Sequence, residues 1–325
     1  PVGSDLRFDE TSVEEGRNFA NKLYNACRFR QMAGNEVSSV KCEVSSAEGL
    51  SIHHLDILAK LDALAVNLKA AYADYRFGEI AQLLYEFLWN EFCDKFLEAV
   101  KLDLRETATP QARAATLATF DAVMSRYLQL LSPYMPHIAE ELSARMGYVA
   151  EGQFVMNLVL PQQPLLADDA AEARTRAAAI HESAGRLRNL KAEYNLSTRK
   201  DVTFVVKGAP GWLPAETRVL ALLVGAAEIR LDDAYEAPKG TPAALTPVGE
   251  VYLPMEGLID VAAEKQRITK EIEKIRAEVA KSEGKLGNAS FVERAPAEVV
   301  VQEKQRLEEW RAKLGQLGEM LAALG

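Results

Sequence analysis

The chain has 325 residues, 48% of them hydrophobic and 26% charged, with a formal net charge of −9. That composition suits globular material in two or three domains and argues against a polypeptide coated with cations over its whole surface. No apolar run reaches the length of a membrane-spanning helix, and no basic opening followed by an apolar stretch marks a secretory leader. Cys27, Cys42 and Cys93 are isolated and lack metal-ligand spacing. Cys27 and Cys93 sit in helical apolar patterns and read as buried free thiols, which favours a reducing, cytoplasmic compartment.

The chain opens at Pro1 in a polar approach to a helix, without an initiating methionine, as expected of a piece of a longer protein. Ser12 and Glu15 have the spacing of a capping box, and Val13, Phe19, Leu23, Ala26 and Phe29 follow at helical intervals. A second helix is predicted from Ser51 to Tyr75. The third, from Phe77 to Val100, has apolar positions too broad for a surface stripe and should run through the centre of a bundle. Thr109 before Pro110 caps a fourth helix ending near Ser132, and Pro133 and Pro136 lead into a short one closed by Gly147. Together these make residues 1–165 a helical-bundle domain.

Residues 166–256 read as a small α+β connector. A helix from Asp169 to Tyr194 carries Arg186, Arg188 and Lys191 near its end. Strands are predicted at Val202–Lys207, Ala227–Leu231 and Gly249–Pro254, with a helix over Pro214–Val224 between the first two. Tyr235 to Pro247, with three prolines, reads as a loop.

Residues 257–325 carry two heptad runs. Val261, Ile268, Ile272, Ile275, Val279 and Leu286 alternate at spacings of three and four, interrupted by Lys265 and Ser282. Val300, Glu303, Leu307, Trp310, Leu314, Leu317, Leu321 and Leu324 repeat the rhythm. Between them lie Gly284, Gly287, Asn288 and Pro296, which end one helix and start the next. The two runs should fold back as an antiparallel coiled-coil hairpin about 40 Å long. The fold class is therefore mainly α, with the sheet confined to the connector.

No catalytic chemistry is visible in the spacing. Gly-rich phosphate loops, Ser or Cys nucleophile motifs and His/Glu metal clusters are absent. His53, His54, His137 and His181 are scattered, and the adjacent pair is expected on the surface, on different sides of a helix. No catalytic, cofactor or metal residue is expected in this chain.

The first helix is the best binding candidate. Arg17, Lys22, Arg28 and Arg30 stand among Phe19, Tyr24 and Phe29, and Arg17 to Met32 contains no acid. Cations reach phosphates, and exposed rings stack on unpaired bases. The alternative is that the rings are core and the cations coat the outside. In the hairpin, Lys265, Arg267, Lys270, Lys274, Lys281, Arg294 and Arg311 are interleaved with Glu, so few should form a continuous phosphate track.

Asn18-Phe19-Ala20-Asn21-Lys22-Leu23-Tyr24-Asn25-Ala26 with Arg28-Phe29 resembles the first helix of the anticodon-binding domain of class I aminoacyl-tRNA synthetases of the isoleucine, leucine and valine group. Tyr85-Glu86-Phe87 with Trp89 to Asp94 resembles that domain's central helix, and Leu131 to Leu142 its closing motif. Gly257-Leu258-Ile259-Asp260, Lys285-Leu286, Asn288, Phe291-Val292 and Ala295 to Val300 are similar to the arm of the valyl-tRNA synthetases. Lys95, His137 and Ser143 depart from the family pattern at packing positions.

The resemblance implies a tRNA-binding region of a valine–tRNA ligase. Arg17, Lys22, Arg28 and Phe29 would meet the anticodon, and the seven arm cations the tRNA corner. ATP and Mg would belong to a catalytic core whose two ATP-site signatures are not in this sequence. The implied partner is tRNA(Val), with no DNA or membrane, and the chain is expected to be monomeric. A free-standing tRNA-binding or regulatory paralogue and a structural dimerisation coiled coil remain as alternatives.

Overall fold

The computed structural model describes residues 10–34, 49–158, 163–166, 170–255, 261–288 and 297–323. It divides into two compact units, Pro1–Ala184 and Gly185–Gly325.

The first unit holds α1 (Glu10–Met32), α2 (Ile52–Ala73), α3 (Phe77–Glu86), α4 (Pro110–Leu131) and α5 (Pro136–Arg145). Its core joins Leu23 of α1, Leu58 and Leu61 of α2, Leu84 of α3 and Tyr127 and Leu128 of α4. As expected, α4 starts at a capped proline: the Thr109 hydroxyl accepts the Ala112 N–H at 3.2 Å. The start of α1 differs from expectation. The helix already runs at Glu10, so Ser12 lies inside it rather than at its cap, and the Ser12 side chain is outside the described residues.

The third predicted helix is continuous but not uniform. After α3 the chain winds as a π-helix over Phe87–Leu97, then as a 3₁₀ turn over Val100–Leu104. Buried positions along it repeat after five and then four residues: Phe87, Phe92, Phe96 and, one step on, Leu88, Cys93, Leu97. That spacing keeps two apolar rows aligned only in a helix wound wider than 3.6 residues per turn.

His53 and His54 are buried, not superficial. The first half of α2 is enclosed on nearly every side, with Asp56, Ile57, Leu58 and Ala59 buried in succession, so an adjacent pair has no solvent side to occupy. His54 Nδ1 accepts the Ser51 N–H at 3.0 Å, closing the helix start, and its Nε2 meets the Thr116 hydroxyl at 2.8 Å. The His53 ring packs edge-on against His181, centroids 5.6 Å apart. Cys27 and Cys93 are free, buried thiols pushed up to about 12 by desolvation, while Cys42 lies outside the described residues.

Helix α6 (Ala171–Glu193) runs through the unit boundary. The second unit contains β1 (Thr203–Lys207), α7 (Thr217–Val224), β2 (Glu228–Leu231), β3 (Ala243–Thr246) and β4 (Gly249–Tyr252). The sheet order is β2-β1-β4-β3, with β1 and β2 parallel and the other pairs antiparallel. Strand β3 was hidden in the predicted loop. Ala243-Ala244-Leu245-Thr246 has little strand propensity and sits between Pro242 and Pro247. It forms because β4 pairs with it residue by residue. Gly249 opens β4 at φ +122°, where a Cβ would lie 2.5 Å from the Lys207 carbonyl, so only glycine fits.

Lys191 near the end of α6 is buried and its ammonium is caged by three carbonyls: Arg199 at 2.7 Å, Gly225 at 2.8 Å and Val224 at 3.2 Å. A cation at the C-terminus of α7 is favoured by the helix dipole. Burial still pulls its pKa below the ordinary lysine value.

The hairpin is formed by α8 (Val261–Leu286) and α9 (Ala297–Ala323), 26 and 27 residues long. Each spans about 40 Å. Ile268, Ile272, Ile275 and Leu317 form the seam, flanked by Val279, Trp310, Leu314 and Leu321. The partner of each run is the other run of the same chain. Ser282 and Glu303, both buried, make one polar layer: the Ser282 hydroxyl donates to Glu303 Oε1 at 2.9 Å, and Lys285 Nζ at 3.2 Å. Pro296 lies outside the described residues.

Candidate nucleic-acid interface

Helix α1 lies along the π-helix, and the two enclose a groove of about 440 Å³. At 100° per residue, Phe19, Leu23, Ala26, Cys27 and Arg30 of α1 face the core. The neighbouring face carries Asn18, Asn21, Lys22, Asn25 and Phe29 into the groove. Trp89, Cys93, Asp94, Leu97, Glu98 and Lys101 form the opposite wall and floor.

The groove combines aromatic surface with amides. Phe19, Tyr85 and Trp89 stack in series, each pair 5.4 Å between centroids. Lys22 Nζ sits 4.2 Å above the Trp89 ring and 2.6 Å from Asp94 Oδ1. Lys101 is likewise held by Glu98, at 2.6 Å. Each groove lysine therefore has a carboxylate neighbour, which makes this a poor phosphate trap. Three asparagine side chains beside Phe29 and Trp89 offer donors and acceptors at a base edge and rings for a base face.

The structure brings Lys22 and Phe29 together in the groove and sets Arg17 and Arg28 about a third of a turn away on the exposed side of α1. Arg17 pairs with Glu14 at 3.4 Å, both well exposed. Such a pair is weak enough to yield to a phosphate. Arg30 leaves the candidate set: it is buried and bonded to Asp121. Of the three rings, Phe19 is core, Phe29 is half-buried against the core, and Tyr24 is exposed.

Asn18, Asn21, Asn25 and Trp89 carried no separate weight in the sequence. A signal was present: three weak helix formers at spacings of three and four on one helix face need a reason to be there.

In the hairpin, Lys270, Lys274 and Lys281 are exposed on α8. Arg311 instead bridges the helices, meeting Glu283 at 2.9 Å and Glu308 at 3.2 Å. The side chains of Lys265 and Arg267, and all of Arg294, lie outside the described residues. Among the described residues no three His, Cys, Asp or Glu side chains could hold a metal ion, and no helix is long and apolar enough to cross a membrane.

A helical bundle with an amide-and-aromatic groove, followed by a coiled-coil hairpin, is the layout of a tRNA-ligase anticodon module with an arm. Residues 54–206 match the anticodon-binding domain of tRNA ligases. Residues 260–325 match the valyl-tRNA synthetase tRNA-binding arm. The chain is 38% identical over 343 aligned positions to a valine–tRNA ligase of Xanthomonas campestris pv. campestris strain B100, covering 99% of this chain and 34% of that protein. It is 34% identical to those of Dechloromonas aromatica strain RCB and Xylella fastidiosa strain M23, at 99% coverage of this chain and 35% and 34% of theirs. The chain belongs to the valyl-tRNA synthetase family and spans about a third of the length of these relatives.

Proposed function

We propose that this chain is the tRNA-binding region of a valine–tRNA ligase and that it orients tRNA(Val) for aminoacylation elsewhere in the enzyme. The groove between α1 and the π-helix would take one or more unstacked anticodon bases, and the hairpin would hold a second part of the same tRNA. The observation that carries this reading is the convergence of Asn18, Asn21, Asn25, Phe29 and Trp89 on one groove.

Binding energy gathered here would fix the acceptor end at a distant active site without any bond chemistry in this chain. ATP and Mg would be handled by the catalytic core, outside these 325 residues. The seam closed within one chain supports a monomer, and the free buried thiols Cys27 and Cys93 support a cytoplasmic protein.

Titration of the chain with a set of purified tRNAs tests this. Valine tRNA should bind tightest, and an anticodon change in that tRNA should remove the preference. Equal affinity for all tRNAs, or none for any, would refute it. The purified chain should also show no valine-dependent ATP–pyrophosphate exchange.

A further inference from the structure

The lysines and glutamates of α8 alternate in sequence but separate on the helix. Lys270, Lys274 and Lys281 follow at spacings of four and seven, so they line one exposed row opposite the seam, about 17 Å long. The remaining positions of that row, Ala277 and Gly284, are small, exposed and uncharged. Arg267 precedes them in the same register.

The acids lie elsewhere. Glu271 and Glu283 sit beside the seam, where they meet Lys313 at 3.2 Å and Arg311 at 2.9 Å of α9. Glu303 is taken up by Ser282 and Lys285. Glu278 approaches Lys281 only at 3.8 Å, and Glu273 points about a quarter-turn from the lysine row. Interhelical pairing thus consumes acids and leaves the α8 row positive.

The equivalent outward row of α9 is Gln302, Gln305, Glu309, Ala312 and Gln316, exposed and without a single cation. The hairpin is electrostatically two-sided, although its linear sequence looks mixed.

We infer that the arm meets RNA with one side only, the outer row of α8, and that Lys270, Lys274 and Lys281 form a phosphate-contacting track while α9 faces solvent. This rests on the tRNA-binding reading above. The phosphate backbone of RNA is the occupant that matches three aligned ammonium groups on an otherwise small, uncharged strip.

Two charge-matched variants of the 325-residue chain test it. Lys270→Gln/Lys274→Gln/Lys281→Gln and Gln302→Glu/Gln305→Glu/Gln316→Glu each lower the net charge by three, on opposite sides of one arm. All six side chains are exposed, so circular dichroism should show both variants folded. Affinity for purified valine tRNA and for an unrelated tRNA is measured from 50 to 200 mM salt. The α8 variant should lose about two to three units of salt slope, equal to about a 16–64-fold smaller fall in affinity across that fourfold range, alike for both tRNAs. The α9 variant should match the unmodified chain. Equal losses in both variants, or none in the α8 variant while the unmodified chain binds, would overturn the inference alone. Failure of the unmodified chain to bind any tRNA would overturn the proposed function with it.

Discussion

Arg30 and Asp121 form a two-pronged buried ion pair, Nε to Oδ1 at 3.0 Å and Nη2 to Oδ2 at 2.7 Å, that ties α1 to α4. The Tyr148 hydroxyl donates to the same Oδ1 at 2.8 Å, and Arg30 Nη1 donates to the Gly34 carbonyl at 3.1 Å. This network fixes the end of α1 against the bundle and so sets the groove that Phe29 lines one residue earlier.

Arg30→Met should therefore destabilise the bundle by about 3–5 kcal/mol, because it strands a buried carboxylate. The double change Arg30→Met/Asp121→Leu should recover much of that loss. Urea unfolding of the three proteins checks both statements. An unaltered midpoint in the single variant would show that Arg30 is not structural.

How much of this was readable in the sequence depends on what each residue needed. Thr109-Pro110 announced its helix because capping is local. The two heptad runs announced the hairpin because a seam is written in one repeat. Strand β3 was not readable, since Ala243 to Thr246 becomes a strand only through β4. Arg30 and Lys22 looked alike along α1, yet two steps of four residues place them on different faces of the helix, one toward Asp121 and one toward Trp89. The groove required a second helix that α1 does not encode.

Acidification should weaken the bundle. Desolvation pulls His54 down to about 4 and His181 down to about 3, with the neighbouring His53 a smaller cause for both. The unfolded chain protonates these histidines near pH 6.5, so below that it binds more protons than the fold, and stability falls as pH falls. Between pH 7.5 and 5 the loss should be about 2 kcal/mol for His54 and less for the more exposed His181. His54→Gln should be less stable at neutral pH, through its lost bond to Thr116, but should show a shallower slope over this interval. Denaturant titrations at four pH values read that slope; an unchanged one contradicts the assignment.

Asp94 restrains Lys22, whose Nζ it holds at 2.6 Å beside the groove. Asp94→Asn removes the competing charge and leaves the cation above Trp89 available to RNA phosphate. The variant should bind all tRNAs more tightly, with the salt slope raised by about one unit. Selectivity between tRNAs should decline, since the added contact carries no base information. Weaker binding together with an unchanged slope would mean that Lys22 works only as part of its pair with Asp94.

The polar layer of the hairpin invites the opposite experiment. Glu303 occupies a seam position, and the Ser282 hydroxyl and Lys285 hold its carboxyl below the usual carboxylate range. A leucine there would bury more apolar surface and should stabilise the hairpin, since exposed Lys285 can turn to solvent and the Ser282 hydroxyl to a carbonyl of its own helix. It would also remove a polar layer that, among the described seam residues, distinguishes this register from a slip of one heptad, as a polar seam residue does in other coiled coils. Lys313 meets Glu271 at 3.2 Å, so a bifunctional thiol reagent about as long as that pair of side chains should join cysteines at 271 and 313 in the unmodified register, and should not join cysteines at 271 and 306. In Glu303→Leu the second pair should begin to cross-link while the melting temperature of the arm rises. A single register in that variant would assign the pairing to the link between α8 and α9 instead of to the Ser282–Glu303 layer.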